Sequence, residues 1–171
     1  MEELNRLTTT GFKSAKKTPL VIILDNVRSQ NNIGSIFRTC DAFLVEKVYL
    51  CGITATPPHK EIYKTALGAT ESVDWEYSES TLAVIRGLRE QGYIVLAAEQ
   101  ADKSIYLQEY PIEESKKYAL VLGHEMHGVD QGVIDECESC VEIPQYGTKH
   151  SLNVAVSGGI LIWHFFARLK N

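Results

Sequence analysis

Three polar clusters hold most of the side chains in this sequence that could do chemistry: NVRSQNNIGSIFR at residues 26–38, GHEMHGVDQG at 123–132 and PQYGTKHSLN at 144–153. Their donors and acceptors fit none of the common catalytic devices. GHEMHG is not a zinc-protease helix, because His124 and His127 are three apart in a glycine-bounded stretch, whereas HExxH needs two histidines four apart on one helical face. VSGGI is not a nucleophile elbow, since no glycine stands two residues before Ser157. Both GxGxxG and GxxxxGK[ST] are absent, so a nucleotide-like ligand would need another backbone arrangement. Taken singly, the polar residues have ordinary uses: Asn32 caps a helix, Glu125 is a loop carboxylate, and Arg38 is a solvated helix residue.

What gives the clusters weight is where they fall. TPLVIILDN is a β-branched run ended by turn formers, as in a strand buried on both faces. The first cluster follows it, and from Ile33 the apolar positions Ile33, Ile36, Phe37, Cys40 and Phe43 have helical spacing, with Asn31 or Asn32 as cap. Further strands are predicted at KVYLCG, SVDWEYS, YIVLAAE, YALVLG and SCVEIP, with helices near 60–67, 80–92, 132–138 and 152–168. This alternation predicts an α/β fold with a mostly parallel sheet covered by helices. Each cluster follows a strand, and ligands in such sheets gather at strand carboxyl ends, so all three are candidates for one site.

The last helix has little polar face, from Leu152 through Val156, Ile160 and Trp163 to Phe166. Enclosing so apolar a helix in a small domain calls for a second subunit, and a homodimer is expected.

The 171 residues, 44% hydrophobic and 23% charged, fit one domain over 18–171, preceded by a basic arm at 1–17. The arm carries a net +2, leaving −7 on the remainder of a chain whose formal charge is −5. That balance argues against indiscriminate binding to nucleic acid, and on charge alone the arm is a solvated tail. There is no signal-type apolar segment and no run long enough to span a bilayer, so the expectation is a cytoplasmic protein with no membrane partner. Cys137 and Cys140 form a lone CxxC with no second pair, weak grounds for zinc, and no metal is expected.

NNIGSIFRTCDAF, LVLGHEMHGVD and IPQYGTKHSLNVAVSGGILIW, in this order and separation, resemble the three signature motifs of the SpoU (TrmH-type) RNA 2'-O-ribose methyltransferases of the SPOUT superfamily. The resemblance covers residues 20 to about 163. It implies an α/β-knot fold with a deep trefoil knot, S-adenosylmethionine as cofactor, a dimer, and methyl transfer to a ribose 2'-hydroxyl in tRNA or rRNA, with no DNA partner. Asn32, Arg38, Glu125, Ser151 and Asn153 fall on the motif positions the family uses for catalysis. Leu122, Gly123, Gly128, Ile143, Gly147, Ser151 and Leu152 fall where the cofactor pocket is lined. Arg28, Lys149 and His150 are expected at RNA phosphates, with Lys60 and Lys64 extending that rim or serving only as surface charge. His124 and Met126 depart from the family's usual Asn and Gly.

On this reading Asn32, Ser151 and Asn153 hold hydroxyl and ribose, while Gly123 and Gly147 let main chain approach the adenosyl group. Arg38 is commonly given the role of general base, but a guanidinium with a pKa above about 12 offers almost no neutral form at pH 7. It is better suited to clamping a phosphate and stabilising the developing alkoxide. The rival from another class is an RNA-binding or cofactor-sensing module without turnover, and a third is a small-molecule methyltransferase.

Overall fold

The computed structural model describes residues 7–149 and 151–170. Its strands are β1 (Thr18–Asp25), β2 (Val45–Cys51), β3 (Trp75–Ser78), β4 (Tyr93–Ala98), β5 (Ile105–Tyr106), β6 (Lys117–Leu122) and β7 (Ser139–Glu142). They form one sheet in the order β3-β2-β1-β6-β4-β7-β5, with every pairing parallel. All strand carboxyl ends therefore lie along one edge.

Alternation along β1 builds two cores. Leu20, Ile22 and Leu24 face one side with Ile33, Ile36 and Phe37 of α2 (Gln30–Ala42) and Leu161, Ile162 and Phe165 of α7 (Val154–Leu169). Val21 and Ile23 face the other, with Ile85 and Leu88 of α5 (Thr81–Glu90) and Val133 of α6 (Gln131–Glu136). Because helices cover both faces, the central strand reads as an unbroken apolar run. Cys137 and Cys140 pack with this second core, where burial pushes the Cys137 thiol up to about 12.

Several boundaries differ from the sequence expectation. The cap of α2 is Ser29, whose Oγ accepts the Asn32 amide at 3.3 Å, not Asn31 or Asn32. The described part of the arm is not a solvated tail: Thr9–Ser14 is a helix, α1, capped by Thr8, and its Phe12 is buried in the first core. Apolar burial of one phenylalanine outweighs the solvation of its charged neighbours. Between α3 (Lys60–Ala66) and β3 the chain makes a further short helix, α4 (Ala69–Ser72), and β5 adds an edge strand; neither has a periodic signal long enough to read. Among the described residues no helix is long and apolar enough to cross a membrane.

Candidate active site

Register brings the three polar turns together. Leu24 of β1 lies opposite Leu122 of β6, so the turns that follow these strands leave the sheet side by side. Glu125 reaches from the second turn into the first. Its carboxylate accepts the backbone N–H of Arg28 at 3.0 Å, that of Ser29 at 2.9 Å, and the side-chain amide of Asn32 at 3.3 Å. Because Ser29 does the capping, the Asn32 side chain is free to face the other way. Its Oδ1 accepts from Nδ2 of Asn153 at 3.2 Å, which ties in the third turn.

Asn153 is at once a cap and a member of this chain of contacts. Its Oδ1 accepts the amides of Ala155 at 2.9 Å and Val156 at 3.3 Å, satisfying two orphan donors at the start of α7. Gly158, one turn further on, lets α7 approach β6: a Cβ there would stand 3.0 Å from Leu122. For Glu125, burial alone would raise the carboxyl pKa, but the donated bonds from Arg28, Ser29, its own amide and Asn32 outweigh it and hold the group below its ordinary value.

The second turn folds back on itself. His124 and Gly128 exchange both backbone hydrogen bonds, at 3.0 and 2.8 Å. A Cβ on Gly123 would fall 2.4 Å from the Gly128 carbonyl and from the Val129 nitrogen. Its lack of a side chain is therefore required by this tight turn itself, a different reason from close approach by a ligand. Gly147 is exposed with nothing within 4 Å of where a Cβ would stand.

Beside the hydrogen-bonded chain lies a cleft of about 360 Å³ at the carboxyl edge of the sheet, within the roughly 300–1,000 Å³ usual for small-molecule sites. Leu122, Gly123, Gly128, Ile143, Ser151 and Leu152 line it, as does Glu125. Gly147, Arg28, Arg38 and Lys149 do not; these three cationic residues are exposed outside it, and His150 lies outside the described residues. Glu99, Gln100 and Glu142 also line the cleft and were missed in the sequence. Glu99 directly follows β4, so the strand-end rule extended to YIVLAAE would have found it.

The lining suits a cationic nucleoside. Glu99, Glu125 and Glu142 are carboxylates, no Lys or Arg is among the described lining residues, and Leu122, Ile143, Leu152, Val154 and Leu161 supply apolar surface. A sulfonium centre would find a favourable field here and an anion would not.

Together these features define a parallel α/β protein with a cleft at its sheet edge and three turns beside it that are joined by hydrogen bonds. The chain belongs to the SpoU rRNA Methylase family, whose model matches residues 19–163. It is 30% identical over 163 residues to the 23S rRNA (guanosine-2'-O-)-methyltransferase RlmB of Vibrio vulnificus, covering 95% of this chain and 64% of that protein. It is also 30% identical over 168 residues to the tRNA (guanosine(18)-2'-O)-methyltransferase of Aquifex aeolicus, covering 95% of this chain and 74% of that one. The crystal structure of AdoMet bound rRNA methyltransferase from Sinorhizobium meliloti superposes with a TM-score of 0.82 at 28% identity, over 92% of this chain and 60% of the other. The chain spans 64% or less of the length of several curated relatives it matches.

Proposed function

We propose that this protein transfers a methyl group from S-adenosylmethionine to a ribose 2'-hydroxyl in tRNA or rRNA. The observation that carries the reading is the contact chain Glu125–Asn32–Asn153, which joins all three turns beside an acidic, apolar-walled cleft. Relatives named for ribose methylation of both RNA classes support it.

Leu122, Ile143 and Leu152 would hold the cofactor's apolar surface, and Gly123 and Ser151 would offer main-chain and hydroxyl groups to its polar edge, with Gly128, its own N–H and carbonyl paired with His124, shaping the wall beside them. When bound, the cofactor supplies an activated methyl on sulfur. In the transfer a ribose O–CH₃ bond forms, the S–CH₃ bond breaks, and the hydroxyl proton leaves to water or phosphate. Asn32 and Ser151 orient the hydroxyl, with Asn153 fixing Asn32. Glu125 acts by holding the first turn, since its oxygens are already engaged by N–H donors. Exposed Arg38 clamps an adjacent phosphate and stabilises the developing alkoxide. Arg28 and Lys149, also exposed, contact further phosphates.

Two copies pair across α7. Val156, Ile160 and Trp163 stand 51%, 40% and 55% exposed at successive turns, an apolar stripe suited to a second copy. The trefoil path is part of the same reading, supported by β6 lying between β1 and β4 and by α7 packing back onto α2 and β1. Pulled from its ends, a knotted chain would extend measurably less than an open chain of 171 residues.

Labelled S-adenosylmethionine with total cellular RNA tests the activity. Transfer that is abolished by RNase is expected; calorimetric binding with no transfer would indicate a binding module, and transfer surviving RNase a small-molecule enzyme. Comparing ribose methylation in RNA from cells with and without the protein then identifies the nucleotide.

A further inference from the structure

The second turn has no helix or strand of its own to hold it, yet it carries Glu125, on which the first turn depends. Besides its own cross-turn pair and the side chain of Val129, which is buried in the second core, one hydrogen-bonding side chain fastens it to the sheet. Oε2 of Glu99 accepts the backbone N–H of Val129 at 2.9 Å, and Oε1 accepts the N–H of Gln100 at 2.9 Å. The Glu99 backbone is itself anchored, donating to the Val141 carbonyl at 3.2 Å, just beyond the pairing of Ala98 with Val141.

Gly128 is shaped to this carboxylate. It has φ +68°, and a Cβ there would stand 2.1 Å from Oε2 of Glu99. The absent side chain at 128 leaves the space that Glu99 occupies, and the left-handed backbone turns the Val129 N–H toward it. Among the described residues Glu99 has no cationic partner, so its charge is satisfied by N–H groups and contributes to the acidic wall of the cleft.

We propose that Glu99 is a positioning residue: by clamping the Gly128–Val129 end of the second turn to β4, it fixes Glu125, and through Glu125 the Arg28–Asn32 segment, at the mouth of the cleft. Its kinetic consequence rests on the methyl-transfer reading above; its structural consequence does not.

Four variants test this: Glu99→Ala, the near-isosteric Glu99→Gln, Gly128→Ala, and Gly128→Ala combined with Glu99→Ala. The first readout is amide hydrogen exchange. Glu99→Ala is expected to speed exchange at Val129 by about ten- to a hundredfold, the loss expected for a bond to a charged acceptor, and to speed it by a smaller factor at Arg28 and Ser29, whose acceptor Glu125 is retained but less firmly placed. Should the alanine variant not fold, Glu99→Gln gives the same readout. Its amide nitrogen must face either Val129 N–H or Gln100 N–H, so one of the two bonds is lost. The second readout is coupling: Gly128→Ala is expected to lower Tm less in the Glu99→Ala background than in the wild type, because the clash with Oε2 is gone.

The third readout is kinetic, well below Tm. Glu99→Ala is expected to weaken S-adenosylmethionine binding about tenfold and to lower kcat, leaving KM for RNA unchanged. A merely structural Glu99 would lower Tm with exchange at Arg28 and Ser29, cofactor affinity and kcat all as in the wild type, and that result overturns the proposal. If the wild type binds no S-adenosylmethionine, the methyl-transfer reading fails, while exchange at Arg28 and Ser29 still decides the role of Glu99.

Discussion

Replacing Glu125 by alanine removes the acceptor on which Arg28 N–H, Ser29 N–H and the Asn32 side chain converge. A hydrogen bond to a charged acceptor contributes about 1.5–3 kcal/mol net. Arg28 is exposed, and its freed amide turns to water; Ser29 is partly buried, and its 2.9 Å bond accounts for most of the loss. The sum is about 2–3 kcal/mol, or a fall in Tm of about 4–12 °C for a domain of this size. The effect on rate is larger, because Asn32 loses one of the two partners that set its rotamer, and a displacement of about 1 Å at a reacting group lowers rate about 100-fold.

Glu125→Gln keeps the shape and one acceptor but not the charge, and is expected to lose about half of that 2–3 kcal/mol. Acidification separates charge from shape. The folded carboxyl lies below its ordinary value, so its stabilisation is complete above the unfolded pKa and is lost as pH falls through the folded one. The Tm gap between wild type and Glu125→Gln should stay level from about pH 8 to 6 and close below about pH 4. Calorimetric melts across pH, with labelled methyl transfer at pH 7, read both effects. Wild-type Tm and kcat in Glu125→Ala, or a gap that widens in acid, would refute the reasoning.

Asn153→Ala removes a helix cap and should lower stability by about 1 kcal/mol, about 2–4 °C; combined with Asn32→Ala its effect on kcat should be less than additive, and strict additivity would count against the contact between them. Arg38 is exposed, and no hydrogen bond or ion pair joins its side chain to other described residues, so Arg38→Ala should leave Tm within about 2 °C while lowering kcat about 100-fold or more. Near-wild-type activity of Arg38→Lys with a new low-pH limb in its rate profile would instead favour Arg38 as the base. Val156→Glu with Ile160→Glu should give a monomer by sedimentation, whereas a monodisperse wild-type monomer at micromolar concentration would remove the dimer from the account.

Much of the fold was legible because its signals are local. The unbroken apolar run of β1, the helical spacing from Ile33 to Phe43, and turn residues after each strand are all contained within windows of a dozen residues. The strand-end rule needs only that alternation, which is why the three polar clusters could be grouped from the sequence, while the choice of Asn32, Glu125 and Asn153 within them came from the resemblance to the SpoU motifs. Features without a period could not be read this way: α1 exists because Phe12 found a core, and α4 and β5 are too short to carry a pattern.

Partner choice at long range belonged to the tertiary structure alone. Nothing near Asn32 says that Ser29 takes the cap and frees it to meet Asn153, 121 positions away. Nothing near Gly128 says that its missing Cβ makes room for Glu99. Both follow from strand order and register, with β6 seated between β1 and β4 so that Leu24 faces Leu122 and Ala97 faces Val121. Propensity and periodicity act over a few residues, whereas strand order is settled by how the whole chain buries its two apolar faces at once.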